Sequence, residues 1–184
     1  PCDVPEKFLD VPLNGIMDQK VVKLMIEKLG HQPTMELINQ VVQIMENRFE
    51  TECNCIPQIP PGVINVLDKL YAMPNVRIGI VSGNWPGIGH RKLKLAGIDK
   101  YFDRDQIIEL GYFDERKDAL VKAREDGEKL NNGKKFDTCI HVGDTPGDVK
   151  AANGANFIAV AVCTGRNQYD YPKPSIVLKD LEEG

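Results

Sequence analysis

The sequence predicts an α/β protein, a doubly wound parallel-sheet core carrying a small α-helical cap. Three observations predict it. Short, nearly continuous apolar runs at 76–83, 137–144 and 157–165 read as strands buried on both faces. Helical stretches alternate with them, the pattern of a parallel sheet wound on both sides. Ahead of this alternation stand two neighbouring helices, set apart by a Pro-rich segment. At 184 residues the chain suits one domain with a small insertion and can bury a sizeable core.

The elements follow in order. Residues 1–12 are Pro-containing, lack periodicity and read as a linker. Residues 18–29 read as a helix stopped by Gly30. A second helix runs from Thr34 to about Glu50, with Ile38, Val41, Val42, Met45 and Phe49 on one face. The short turn at Gly30–Pro33 makes the two a helical hairpin, the cap, placed at 13–55. The core is placed at 56–184, with hinges near 10–15 and 53–62. Within it, 63–72 reads as a helix, 76–83 as a strand, 89–97 as a helix and 106–110 as a short strand. Next come a helix at 116–130, a strand at 137–144, a helix at 147–155 and a strand at 157–165. Residues 175–181 read as an edge element.

Composition narrows the function. The formal net charge is −4, which argues against a general nucleic-acid binder. No apolar run is long enough to cross a bilayer. The cysteines are odd in number: Cys2, Cys53, Cys55, Cys139 and Cys163. Cys53-Asn-Cys55 lacks the spacing and the second ligand pair of a zinc site. Reduced thiols in a cytoplasmic protein are the expectation.

Ligands of open parallel sheets bind beyond the C-terminal strand ends, and three such places carry chemistry. In "IVSGNW", Ser82 ends a strand, and Gly83 and Asn84 follow. A hydroxyl with backbone N–H groups near a helix start makes an anion cradle; an ordinary strand-to-helix turn is the plainer reading. In "HVGDTPGDV", Asp144 leaves the strand end and Asp148 opens the next helix. Such carboxylates suit a hard cation such as Mg²⁺, while Asp148 equally suits a helix cap. Arg116 and Lys117 begin a helix, where a cation opposes the dipole and needs a compensating anion. Solvated surface charge is the plainer reading of that pair. Trp85 reads as a pocket wall or as cover for the core edge. His141 reads as a core histidine, His90 as part of a solvated helix face, and Tyr169 and Tyr171 as surface residues.

Together, "IVSGN", then a cation, then "VGDTPGDVKAA" resemble the haloacid dehalogenase (HAD) superfamily of phosphohydrolases. "HRKLKLAGIDKYFD", "PPGVINVLDKL" and "LNGIMDQKVVKLMIEKLG" extend the likeness to phosphoglycolate-phosphatase-like members with a helical cap. The resemblance implies a Mg²⁺-dependent phosphatase of a small phosphorylated metabolite, with no membrane or nucleic-acid partner. It implies phosphoryl binding by Ser82, Gly83 and Asn84, charge stabilisation by Arg116 or Lys117, and Mg²⁺ held by Asp144 with support from Asp148. The cap would close over the strand ends and exclude water.

One departure stands out. The family's first motif, D-x-D at the end of the central strand, holds the nucleophile and the general acid/base. Asp103-Arg104-Asp105 is the sole D-x-D in the chain, and no apolar strand leads into it. Asp3 and Asp10 also lack a strand before them. Three explanations are open: a fragment of a longer protein, a strand supplied by another chain or element, or a rearranged non-catalytic binding or scaffold protein. A haloacid-dehalogenase-type hydrolase is a further alternative on the same scaffold. Without the first-motif strand, two inner strands are expected to carry unpaired backbone and exposed apolar faces.

Overall fold

The structure, a computed structural model, describes residues 7–8, 10–12, 16–103, 107–165 and 170–183. Asp3, Tyr169 and the Arg104-Asp105 part of the D-x-D lie outside these residues, as does most of the stretch before Ile16. Within the segment read as a linker, β1 (Lys7–Phe8) and β2 (Val11–Pro12) pair antiparallel.

Two helices follow, α1 (Asp18–Lys28) and α2 (Met35–Glu52). Thr34 starts α2 as its N-cap, its hydroxyl accepting from the Leu37 N–H at 3.3 Å. The hairpin does not bury its apolar face within itself. Val22 and Ile26 of α1 and Ile38 and Val42 of α2 close one cluster with Trp85 and Ile88.

The core opens with α3 (Val63–Ala72), whose start at Gly62 has φ +80°. A Cβ there would run into the Leu181 backbone, so the tail of the chain is packed against the head of α3. Then come β3 (Gly79–Ser82), α4 (Pro86–Ala96), a 3₁₀ turn at Asp99–Tyr101, and β4 (Ile107–Leu110). The chain continues through α5 (Arg116–Leu130), β5 (Ile140–Gly143), α6 (Pro146–Gly154), β6 (Ile158–Val162) and β7 (Ile176–Leu178). Among the described residues, β3 meets β4 from Gly79↔Ile107 to Ser82↔Leu110. Helix α4 starts three residues earlier than periodicity indicates, because Pro86 fits the first helical turn.

The parallel strands form two ladders, β3–β4 and β5–β6–β7. Among the described residues no ladder joins β3 to β5. Helix α5 packs on β3 and β4, α6 packs on β5 and β6, and the two helices pack on each other. Leu120, Ala151 and Ala155 make that helix contact, with Val81 of β3 against it. The other face of β3–β4 is covered: Ile78, Ile80 and Ile108 meet Leu67 and Leu70 of α3 and Leu93 of α4. Among the described residues, the second ladder is covered on one face only. Ala159 and Ala161 are buried against Val149 and Ala152. On the opposite face, Ile140 pairs with Ile158 and Val142 with Val160, and Ile140, Val142, Ile158 and Ile176 stand exposed. Isolated apolar side chains at a surface are ordinary, but a contiguous row on one sheet face is not.

Candidate active site at the strand ends

The end of β3 and the head of α4 form one half of the site. The Asn84 N–H donates to Ser82 Oγ at 3.3 Å. Among the described residues, no acceptor takes the Ser82 hydroxyl proton. A Cβ on Gly83 would lie 3.1 Å from the Ile16 carbonyl oxygen and 3.2 Å from Met17 Cα, so the turn is pressed against the lead-in to α1. Asp18, the first residue of α1, is bonded to this turn three times. Its N–H donates to the Gly83 carbonyl at 2.9 Å. Its Oδ2 accepts from Asn84 Nδ2 at 3.3 Å and from the Trp85 N–H at 3.2 Å. Lys92 Nζ donates to Asn84 Oδ1 at 2.8 Å. Burial pushes the Asp18 carboxyl up, partly offset by the Asn84 and Trp85 hydrogen bonds. Burial pushes Lys92 down, opposed by the charge of Asp18.

Trp85 is fully buried in the cluster shared with α1 and α2, its ring edge-on to Tyr112 at 5.3 Å. It is a core residue, and of its two sequence readings the pocket wall fails. The interface has polar contacts as well: the Gly87 N–H donates to Glu46 Oε1 at 2.6 Å, and Lys23 Nζ donates to Asp114 at 2.8 Å.

The end of β5 and the head of α6 form the other half. Thr145 caps α6, accepting from the Asp148 N–H at 3.2 Å. Asp148 Oδ2 accepts in return from the Thr145 N–H at 2.9 Å and the Thr145 hydroxyl at 2.8 Å. Asp148 Oδ1 takes the Arg116 guanidinium, with 18% of the Arg116 side chain and 8% of the Asp148 side chain exposed. His141 Nε2 stands 3.6 Å from the same oxygen, beyond hydrogen-bond length. Burial disfavours the Asp148 charge, yet His141, Arg116 and the Thr145 hydroxyl outweigh it and hold the carboxyl well below the usual range. A Cβ on Gly143 would run into the Asp148 side chain, which explains the glycine at that strand end.

Asp144 is placed differently. Its carboxylate lies beside Gly165, where a Cβ would meet Oδ2 at 2.8 Å. Burial, and then the charge of Asp148, push its pKa up. The Tyr171 hydroxyl donates to the Asp144 carbonyl oxygen at 3.0 Å. Tyr171 is therefore a brace for the β5–α6 turn, which corrects its reading as a surface residue. Since a carboxyl whose pKa is raised by folding destabilises the fold once ionised, Asp144→Asn is expected to raise the thermal midpoint at pH 7. That gain should vanish below about pH 4, where the unfolded-state carboxyl is also protonated. Scanning calorimetry at the two pH values checks both signs.

The two cations separate in the structure. Arg116 meets Asp148, the anion that a cation at the head of α5 requires. The Lys117 stem passes the end of α6, where a Cβ on Gly154 would lie 3.2 Å from its Cδ. The two groups stand at the C-terminal ends of β3 and β5, one on each parallel ladder. Asp18, Lys92 and Thr145 escaped the sequence reading. Thr145 was legible, since Thr-x-x-Asp before a helix is a capping pattern. Asp18 was not, because its partners lie far along the chain.

The haloacid dehalogenase-like hydrolase family model matches residues 6–162. The chain belongs to this family. No curated protein matches the chain. The α/β fold with parallel strands is that of a HAD-like hydrolase core. Among the described residues no helix is long and apolar enough to cross a membrane.

The described residues do not by themselves fit a Mg²⁺ site. No group of three or more His, Cys, Asp or Glu side chains gathers among them. Both oxygens of Asp148 are engaged internally. Asp144 is the carboxylate left for a cation at this end.

Proposed function

We propose that the chain carries the phosphate-binding part of a hydrolase for a small phosphomonoester, completed by a strand ending in Asp-x-Asp between β3 and β5. The observation that supports this reading is the separation of the parallel strands into two ladders, with Ser82 at the end of a strand of one and Asp144 just past a strand of the other. In this reading the Ser82 hydroxyl donates to a phosphoryl oxygen, with the backbone at Gly83 and Asn84 alongside it. Arg116 supplies positive charge as negative charge shifts toward the leaving oxygen, and Asp148 holds it preorganised. The first aspartate of the added strand attacks phosphorus. The bond to the alkoxide leaving group breaks, and the second aspartate protonates it. Water then hydrolyses the aspartyl-phosphate. Asp144 and Asp148 keep the metal-binding and supporting roles that the family resemblance implies.

The chain alone is expected to show no turnover of an aryl phosphate with Mg²⁺ added. Fusing an apolar strand ending in Asp-x-Asp ahead of Pro1 should restore turnover. Arg116→Ala in the fused protein should then lower kcat/KM about 10²–10³-fold, the loss typical of one charge-stabilising donor. Robust turnover by the unfused chain that survives Arg116→Ala would refute the proposal.

A further inference from the structure

We propose that Asp18 is a positioning residue for the Ser82 hydroxyl, setting from the helical hairpin which way the strand-end turn faces. The inference rests on the phosphate-binding reading of that turn. Four observations carry it. The Asp18 main chain holds the Gly83 carbonyl, and its carboxylate holds the Trp85 N–H and the Asn84 amide. Lys92 takes the other end of that amide, so an anion and a cation together fix its orientation. The Asn84 N–H in turn occupies Ser82 Oγ as an acceptor. Among the described residues no acceptor takes the proton of that hydroxyl, which can therefore serve as a donor to a phosphoryl oxygen.

The competing account makes Asp18 a cap for α4 and nothing more. Helix α4 has no side-chain cap of its own, and Asp18 and Glu46 reach its first N–H groups from the hairpin. The two accounts differ in sign. Removing a carboxylate near an anion site should tighten anion binding by Coulomb's law. If Asp18 positions the turn, its removal weakens binding despite the gain in charge.

The test uses the full chain, inorganic phosphate as probe, and the amide resonances of Gly83 and Asn84 as readout. Wild type is expected to bind phosphate, and Ser82→Ala to abolish the response. Asp18→Ala should weaken binding about tenfold, the worth of a typical net hydrogen bond. Asp18→Asn keeps an acceptor for the Trp85 N–H without the charge, and should bind at least as tightly as wild type. Should Asp18→Ala fail to fold, Asn84→Leu decides the matter: it is charge-neutral, cuts the same network, and should also weaken binding about tenfold. Unchanged or tighter binding in Asp18→Ala, or in Asn84→Leu where that variant must decide, overturns the positioning role and leaves Asp18 a helix cap. Absence of any Ser82-dependent response in wild type overturns the phosphate reading and this inference with it.

Discussion

Trp85→Ala is expected to lower stability by about 3–5 kcal/mol, the range for deleting a large buried aromatic. The side chain is wholly inaccessible and packs against Val22, Ile26, Ile38, Val42 and Ile88. The upper half of the range is expected because the site cannot collapse. Asp18 pins the Trp85 backbone, Glu46 pins Gly87, and Arg91 meets Glu50 at 3.4 Å. These contacts hold α1 and α2 at a fixed distance from α4, so the cavity persists. A typical domain has about 5–15 kcal/mol in total, so the loss is a large fraction. Trp85→Phe should cost much less. It keeps a ring against Tyr112 and gives up no hydrogen bond, since among the described residues the buried indole N–H has no partner. Urea denaturation separates the two variants. A wild-type midpoint for the alanine variant would mean that the hairpin does not rest on this side chain.

The second large effect belongs to Arg116 and Asp148. Arg116→Ala leaves a buried carboxylate without its guanidinium, and breaking such a pair costs about 3–5 kcal/mol. The low end is expected, because Thr145 still satisfies Asp148 Oδ2. Asp148→Ala should cost at least as much. It strands the guanidinium and also removes the reciprocal bond to the head of α6, a cap worth about 1 kcal/mol. The two changes should be strongly non-additive, since the first already removes most of what the second could. The acid side carries a signature. Folding depresses the Asp148 pKa, so its contribution is fully present above the unfolded carboxyl value of about 3.9 and is lost as pH falls below it. Asp148→Asn should flatten the decline in stability below about pH 4. A decline as steep as that of wild type would mean that other carboxylates drive acid unfolding.

Much of the architecture was legible because it is local. Helices 63–72 and 116–130 match their predicted bounds, since periodicity and end signals coincide there. The turn "GDTPGD" announced a strand end and a helix head, and both are present. Asp148 kept its alternative reading as a cap, and the cap is what its hydrogen bonds form, whereas the Asp144 carboxylate lies beside Gly165. Separating Arg116 from Lys117 needed three dimensions, because adjacent residues on a helix point about 100° apart and a sequence does not show which of them meets Asp148. The hairpin's seat on α4 was hidden for a related reason. The apolar stripe of α2 is visible in the sequence, but its partner is Trp85, and nothing local ties residue 42 to residue 85.

The division of the parallel strands into two ladders also bears on how the molecule meets copies of itself. Two separate parallel ladders present four strand edges, where one continuous sheet would present two. Edge strands of soluble proteins are commonly blunted by lysine, proline or a bulge. Two of these edge strands, Gly-Ile-Val-Ser and Ile-His-Val-Gly, carry neither lysine nor proline, and Ile140 and Val142 stand exposed on one of them. They lack those defences. Among the described residues, they are bare templates for backbone pairing, and a net charge of −4 spread over 184 residues is a weak barrier to it. The concentration at which the chain stays monomeric is therefore expected to depend on these backbone edges more than on surface charge.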